Sequence, residues 1–107
     1  MLLSGGLDSS IVYQYARRDD ALMKVYHSPN GEDGYLDLMR PAKVERIDFE
    51  DSPIEEVLRA NEGPVDLGSM LQQYALGKAV SERVCLSGDG ADELFGGYRR
   101  SLEYDSQ

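Results

Sequence analysis

The sequence predicts a three-layer, doubly wound α/β domain built on a parallel sheet of about four strands. Short apolar runs alternate with segments whose apolar residues recur at helical spacing, in the order β-α-β-α-β-α-α-β. Strands that alternate with helices pair in parallel through right-handed crossovers. A chain of 107 residues has the length of one small domain, which we expect to cover residues 1–107.

Four short apolar runs are the predicted strands. They cover residues 1–3, 22–27, 44–49 and 84–86. The last run, Val84-Cys85-Leu86, is wholly apolar, as expected for a strand covered by helices on both faces, and Cys85 is predicted to be a small buried residue. Because one cysteine cannot form an internal disulfide, a reducing cytoplasmic location fits.

The predicted helices lie between these strands. Residues 7–18 have apolar side chains at helical spacing and end on two arginines, which suit the negative end of a helix. One or two helical turns are predicted at 35–39. The stretch SPIE at 52–55 combines a cap hydroxyl, a proline at the first helical position and the acid of a capping box. Residues 67–75 then form an apolar series that favours a core position for Met70 and Tyr74.

The composition excludes two classes of function. Twenty acidic residues against 11 basic ones give a net charge of −9, which repels nucleic acid because its binding depends on phosphate neutralisation. Neither an apolar run long enough to span a membrane nor a charged-then-apolar leader occurs in the sequence, so we expect no membrane association and no export.

The stretch SGGLDSS follows the first predicted strand and begins the first predicted helix. It contains Ser4, Gly5, Gly6, Leu7, Asp8, Ser9 and Ser10. Glycines at such a turn let the free N–H groups of a helix approach an anion, above all a phosphate. An ordinary cap needs only one hydroxyl or carboxylate, and this turn offers four. The lysine of a P-loop is absent and an acid is present, which suggests that the phosphates arrive with a metal ion.

A second acidic, glycine-rich turn follows the last predicted strand. SGDGADELFGGYRR at 87–100 repeats the order of an apolar strand, Ser-Gly and an acidic turn before a short helix. In doubly wound sheets the turns after neighbouring strands meet where the strand order reverses. We therefore predict that Asp8 and Asp92 face each other and hold Mg²⁺ on a polyphosphate, since Mg²⁺ takes one or two carboxylates together with phosphate oxygens and waters.

The two stretches together are recognisable. SGGLDSS at 4–10 and SGDGADELFGGY at 87–98 resemble the synthetase domain of glutamine-dependent asparagine synthetases and their β-lactam synthetase relatives, which are PP-loop ATP pyrophosphatases. The resemblance implies a parallel α/β sheet. It also implies that MgATP converts a carboxylate, aspartate by default, into an acyl-adenylate with release of pyrophosphate, after which an amine attacks the activated carbonyl.

The resemblance also implies roles for individual residues. The pyrophosphate cradle is Ser4, Gly5, Gly6, Leu7, Asp8, Ser9 and Ser10, and Leu3, Ser87 and Gly88 flank the nucleotide. Asp8 and Asp92 are the Mg²⁺ ligands. Asp89 is the acid beside the reacting centre, and Tyr98 is the tyrosine of the GGY motif. Arg99 and Arg100 are the candidates to replace a transition-state lysine that the family has beyond GGY, with solvated surface arginines as the equal alternative.

Several expectations follow from what the resemblance does not cover. We expect the chain to use free ammonia, since no glutaminase domain with its cysteine nucleophile is present. We expect a homodimer, because so small a sheet leaves apolar surface exposed. The alternatives are a non-catalytic MgATP or AMP-binding module or partner-completed subunit, and an adenylating enzyme with another acid or nucleophile. His27 and Tyr26 lie near the adenine position of the family, and packed residues are favoured there.

Overall fold

The computed structural model describes residues 1–29, 33–63 and 66–98. Its helices are α1 (Leu7–Ala16), α2 (Asp33–Met39), α3 (Ile54–Asn61), α4 (Leu67–Ala79) and α5 (Ala91–Phe95), and its strands are β1 (Lys24–His27) and β2 (Lys43–Arg46). Among these described elements α4 is the longest helix, with 13 residues. None of the described helices combines the length and the apolar character needed to cross a membrane.

The sheet is parallel and small. β1 pairs with β2 in a register that runs from Lys24 opposite Lys43 to His27 opposite Arg46. Residues 1–3 lie along the other edge of β1, where Tyr26 N donates to Met1 O at 2.8 Å and Leu3 N donates to Tyr26 O at 3.0 Å. Leu2 N in turn donates to Leu86 O at 2.8 Å. The N-terminal residues therefore lie between β1 and the backbone that precedes the second motif.

The predicted α/β class is confirmed, but the predicted four-stranded doubly wound sheet is not. Within the described residues the sheet has two strands, with residues 1–3 attached by an isolated bridge between Leu2 and Tyr26. The predicted strand at 84–86 is wrong: Leu86 accepts a backbone hydrogen bond from Leu2, but residues 84–86 do not pair with a neighbouring strand along their length. Val84 is 77% exposed and Cys85 is exposed, so the expectation of a buried cysteine is also wrong. The described helices do not cover residues 84–86 on both faces, so this apolar run is exposed to solvent.

The hydrophobic core lies between the N-terminal residues, α1, β1 and α2. Its buried members are Met1, Leu3, Tyr13, Val25 and Leu36, with Val12, Met23 and Met39 packed against them. Each fully buried apolar side chain of this size contributes about 1.5–3 kcal/mol. This core holds the N-terminal residues before Ser4 in place and thereby fixes where the first motif begins.

Two helix predictions need correction. The capping box at 52–55 is not formed: α3 begins at Ile54, Pro53 occupies the cap position, and no side-chain cap bond is present there. Ser52 N instead donates to Phe49 O at 3.0 Å in the preceding turn. α4 contains no fully buried residue, so Tyr74 is only half-buried and its hydroxyl donates to Glu56 on α3. The sheet that α4 contacts is too narrow to cover its apolar face.

His27 ends β1 as a packed residue, in agreement with the favoured expectation. The ring is fully buried; its Nδ1 lies 2.8 Å from Leu3 O and its Nε2 lies 2.6 Å from Asp33 Oδ1. Both ring nitrogens are therefore engaged by oxygen atoms of the protein. Arg46 Nη1 also donates to Asp33 at 3.0 Å. The hydrogen bond from His27, followed by its charge, lowers the pKa of Asp33.

This arrangement predicts a loss of stability in acid. The pKa of Asp33 is lower in the folded chain than in the unfolded chain, so its ionised form stabilises the fold. This contribution to stability is complete above the ordinary aspartate pKa of about 4, and it disappears as the pH falls through the folded pKa. We expect Asp33→Asn to have a lower Tm at pH 7 and a shallower fall of Tm below about pH 4. Thermal unfolding from pH 7 to pH 2 measures this, with Asp19→Asn as the control. Parallel curves for Asp33→Asn and wild type would contradict it.

Candidate functional site

The first motif forms the turn that leads into α1. Gly5 has a φ of 94°, a left-handed conformation that favours glycine, and this turns the chain from the N-terminal residues into the helix. The cap position is Gly6, which provides no side-chain cap bond. The N–H groups of the first turn, from Leu7 onward, therefore keep the positive end of the helix open toward an anion.

The serine hydroxyls of this motif brace the turn. Ser4 Oγ and Ser9 Oγ lie 2.9 Å apart, and Gly6 N donates to Ser4 Oγ at 3.1 Å. Ser10 Oγ donates back to Gly6 O at 2.5 Å. These bonds hold the backbone of the loop in shape. Since the N–H groups of Ser4 and Gly6 already donate to serine hydroxyls, the N–H groups at the start of α1 are the natural contacts for a phosphate.

The second motif touches the first through Gly88. A Cβ atom at Gly88 would lie 2.6 Å from Ser9 N, 3.0 Å from Ser9 Cα and 3.1 Å from the carbonyl carbon of Asp8. Only a glycine allows the two backbones to come this close. The turn at 87–90 is held on the other side by Ser87 Oγ, which donates to Asp89 Oδ2 at 2.9 Å. Residues far apart in the sequence thus meet at the first turn of α1.

Both motifs line one cavity of about 960 Å³. This is near the upper end of the range of about 300–1,000 Å³ that is common for small-molecule sites. The predicted site residues on its wall are Leu3, Ser4, Gly6, Leu7, Asp8, Ser9, Ser87, Gly88, Asp89, Asp92 and Tyr98. Gly5 and Ser10 are not among its described lining residues, and Arg99 and Arg100 lie outside the part of the chain that the structure describes.

The acidic side chains of the cavity come from both motifs. Asp8 belongs to α1, whereas Asp89 and Asp92 belong to the second turn and α5. The Asp92 carboxylate lies against the backbone of Gly97, where a Cβ atom would collide with Oδ1. Among the described residues, no three histidines, cysteines or acids form a ready-made metal cluster. Asp8 and Asp92 both line the cavity and stay the predicted ligands of Mg²⁺, an ion that takes one or two carboxylates together with phosphate oxygens.

One wall of the cavity contains Tyr26, which the resemblance put near the adenine position, and other residues that sequence reasoning missed. Tyr26 lines it with its hydroxyl donating to Glu82 Oε2 at 2.6 Å, and this bond lowers the pKa of Glu82. Ser28 follows β1 on the same wall, and its position after a parallel strand was a signal that could have identified it. α4 contributes Gln72, Gln73, Leu76 and Gly77, and Val80 follows directly at its end. The apolar residues among these could not be distinguished from ordinary core positions by spacing alone.

Comparison with known proteins identifies the family. The family model for asparagine synthase matches residues 40–107, close to two thirds of the chain, and this region contains the second motif. The first motif lies outside the matched region and is joined to it by the contact of Gly88 with α1. Searches of curated proteins and of solved structures gave no match. Because the family model covers more than half of the chain, this protein belongs to the asparagine synthase family.

Proposed function

We propose that the chain is an AMP-forming amide synthetase that adenylates a carboxylate, aspartate by default, and transfers ammonia to it to give asparagine. Family membership indicates an asparagine-synthetase-like, ATP-dependent function. The observation that carries the finer proposal is the approach of Gly88 to Ser9, because it brings both motifs to one cavity.

The first motif is assigned to the pyrophosphate part of ATP. The open first turn of α1 offers N–H groups and a positive helix end, and Ser4 and Ser9 hold the loop that precedes it. Asp8 and Asp92 would hold Mg²⁺, which when bound neutralises phosphate charge. Such a site has little covalent work to do, since alignment and charge neutralisation supply most of the rate enhancement in phosphate chemistry.

The proposed reaction has two steps. A carboxylate oxygen of the acid attacks the α-phosphorus of ATP, and the bond to the bridging oxygen breaks with departure of pyrophosphate. Ammonia then attacks the acyl carbon, loses a proton and displaces AMP. Asp89, held by Ser87 on the cavity wall, is assigned as the acid beside the reacting centre. Tyr98, which donates to Glu93 at 2.6 Å, is assigned to the wall behind it, and Arg99 and Arg100 remain candidates for charge neutralisation.

A direct assay tests the proposal. The full chain is mixed with MgATP, aspartate and ammonium, and AMP, pyrophosphate and asparagine are measured. We expect equal amounts of the three products, with formation dependent on both aspartate and ammonium. Nucleotide turnover no higher than that of an Asp8→Ala control would reject the enzymatic proposal. Replacing aspartate with other acids while pyrophosphate is followed tests the acid specificity.

One observation favours a second candidate, a nucleotide-binding module or subunit that another chain completes. Leu94 and Phe95, within the second motif, are 79% and 85% exposed, although adjacent apolar residues of this size are usually covered. We propose that a second copy covers them in a homodimer. Sedimentation at micromolar concentration is expected to show a dimer, and a monomer throughout would contradict it. MgATP binding in calorimetry without AMP formation would select the non-catalytic module.

A further inference from the structure

Among the hydroxyl groups on the described wall of the cavity, that of Ser28 differs from the rest. Ser4 pairs with Ser9, and Ser87 pairs with Asp89. The tyrosine hydroxyls also have partners: Tyr26 donates to Glu82 and Tyr98 donates to Glu93. Ser28 is 5% exposed, and its Oγ is buried without a hydrogen-bond partner among the described residues.

A buried hydroxyl without a partner is unfavourable, and folded proteins rarely keep one. The backbone at Ser28 continues from β1, so its position is set by the same pairing that holds the strand against residues 1–3. Ser28 is one of the residues that line the cavity where a bound molecule would be held. The missing partner is therefore expected to come from the ligand.

The surroundings of Ser28 indicate which part of a nucleotide it contacts. Tyr26 lies in β1 and Ser28 directly follows its last residue, so the two are two positions apart, and both line the cavity. The cavity is also lined by Leu76 of α4, a helix that contacts β1, and by Val80 at the end of that helix. A neutral hydroxyl beside aromatic and aliphatic side chains suits a base or ribose, whereas the phosphates are matched by the N–H groups of α1.

We propose that Ser28 Oγ donates a hydrogen bond to an acceptor on the nucleoside part of the bound nucleotide and is thus a specificity-determining residue. This inference rests on the proposed function, because it assumes that the cavity binds an adenine nucleotide. It assigns to Ser28 a role separate from phosphate binding and from the Mg²⁺ ligands.

Calorimetric titration of the full chain, with Mg²⁺ present, tests this assignment. The probes are AMP and, separately, inorganic pyrophosphate, and the proteins are wild type, Ser28→Ala and the control Ser52→Ala. We expect Ser28→Ala to bind AMP about fivefold to tenfold more weakly and pyrophosphate within about twofold of wild type. A tenfold loss corresponds to about 1.4 kcal/mol. We also expect the unliganded Ser28→Ala protein to unfold at the same Tm or higher, since it no longer buries an unpaired hydroxyl.

The remaining outcomes are distinguishable. Equal AMP affinity of wild type and Ser28→Ala overturns the inference and leaves the proposed function standing. Equal losses of AMP and pyrophosphate affinity, or a clear fall in the unliganded Tm, also overturn it, because Ser28 would then act on the loop or on the fold. Wild type that binds neither probe overturns the proposed function, and the inference with it.

Discussion

Replacing Gly88 with alanine is expected to abolish measurable AMP formation and to lower the free energy of unfolding by about 1–3 kcal/mol. The added Cβ would lie 2.6 Å from Ser9 N and 3.0 Å from Ser9 Cα, and both are main-chain atoms of α1. A side chain can rotate away from such a collision, but the first turn of a helix cannot. The second motif must therefore move away from the first, and the proposed site loses its arrangement.

Urea unfolding and the product assay measure the two effects of Gly88→Ala. Gly34→Ala is the matched control, because a Cβ at Gly34 would meet no atom of the described residues within 4 Å and the residue lies in α2, outside the cavity lining. This control should keep its turnover. Its free energy of unfolding should be unchanged or higher by up to about 1 kcal/mol, because alanine favours a helix more than glycine does. Full activity and unchanged stability of Gly88→Ala would show that the two motifs are not in contact in solution.

The second large effect is expected at the two carboxylates. Asp8→Asn and Asp92→Asn should each lower the rate of AMP formation about 100-fold or more, the size seen when one charge-stabilising group is removed from an active site. If both residues hold the same Mg²⁺, the first substitution already weakens the binding of the ion, and the second lowers the rate of AMP formation little further. The double variant should therefore lie within about tenfold of the slower single variant.

Measurements across a range of Mg²⁺ concentrations separate metal binding from other causes. Each single variant should need a higher Mg²⁺ concentration for half-maximal turnover. Asp19→Asn makes the same change of charge at an exposed position after α1, and it should behave as wild type. Multiplicative losses in the double variant, to about 10,000-fold, would show that Asp8 and Asp92 act independently. A normal Mg²⁺ dependence of either single variant would remove that residue from the metal site.

Local patterns predicted most of the helices correctly. α1 and α4 begin at Leu7 and Leu67, as their apolar spacing indicated, and β1 lies within the predicted run at 22–27. These features depend on interactions between near neighbours in the chain, and such interactions are visible in the sequence. The glycines and acids of both motifs were recognisable for the same reason, because each motif is a short continuous stretch.

The errors occur where local preference depends on a distant partner. Val84-Cys85-Leu86 has the composition of a strand, but a strand must pair with a neighbour along its length. Here the backbone hydrogen bond from Leu2 to Leu86 does not extend into such pairing. Likewise, the apolar series of α4 favoured a core face, and the narrow sheet leaves that face half-covered. Burial is a property of the assembled layers, so a single segment cannot determine it.

The local sequence by itself therefore determines the chemistry of each turn. The first is a glycine and serine turn without a side-chain cap on α1, and the second is an acidic turn held by the hydrogen bond from Ser87 to Asp89. Only the folded chain decided that Gly88 lies against Ser9, that Tyr26 faces the cavity, and that the Ser28 hydroxyl is buried there without a partner. Contacts between distant residues depend on how the core places β1 and α1 relative to each other, and packing of that kind has no counterpart in residue spacing.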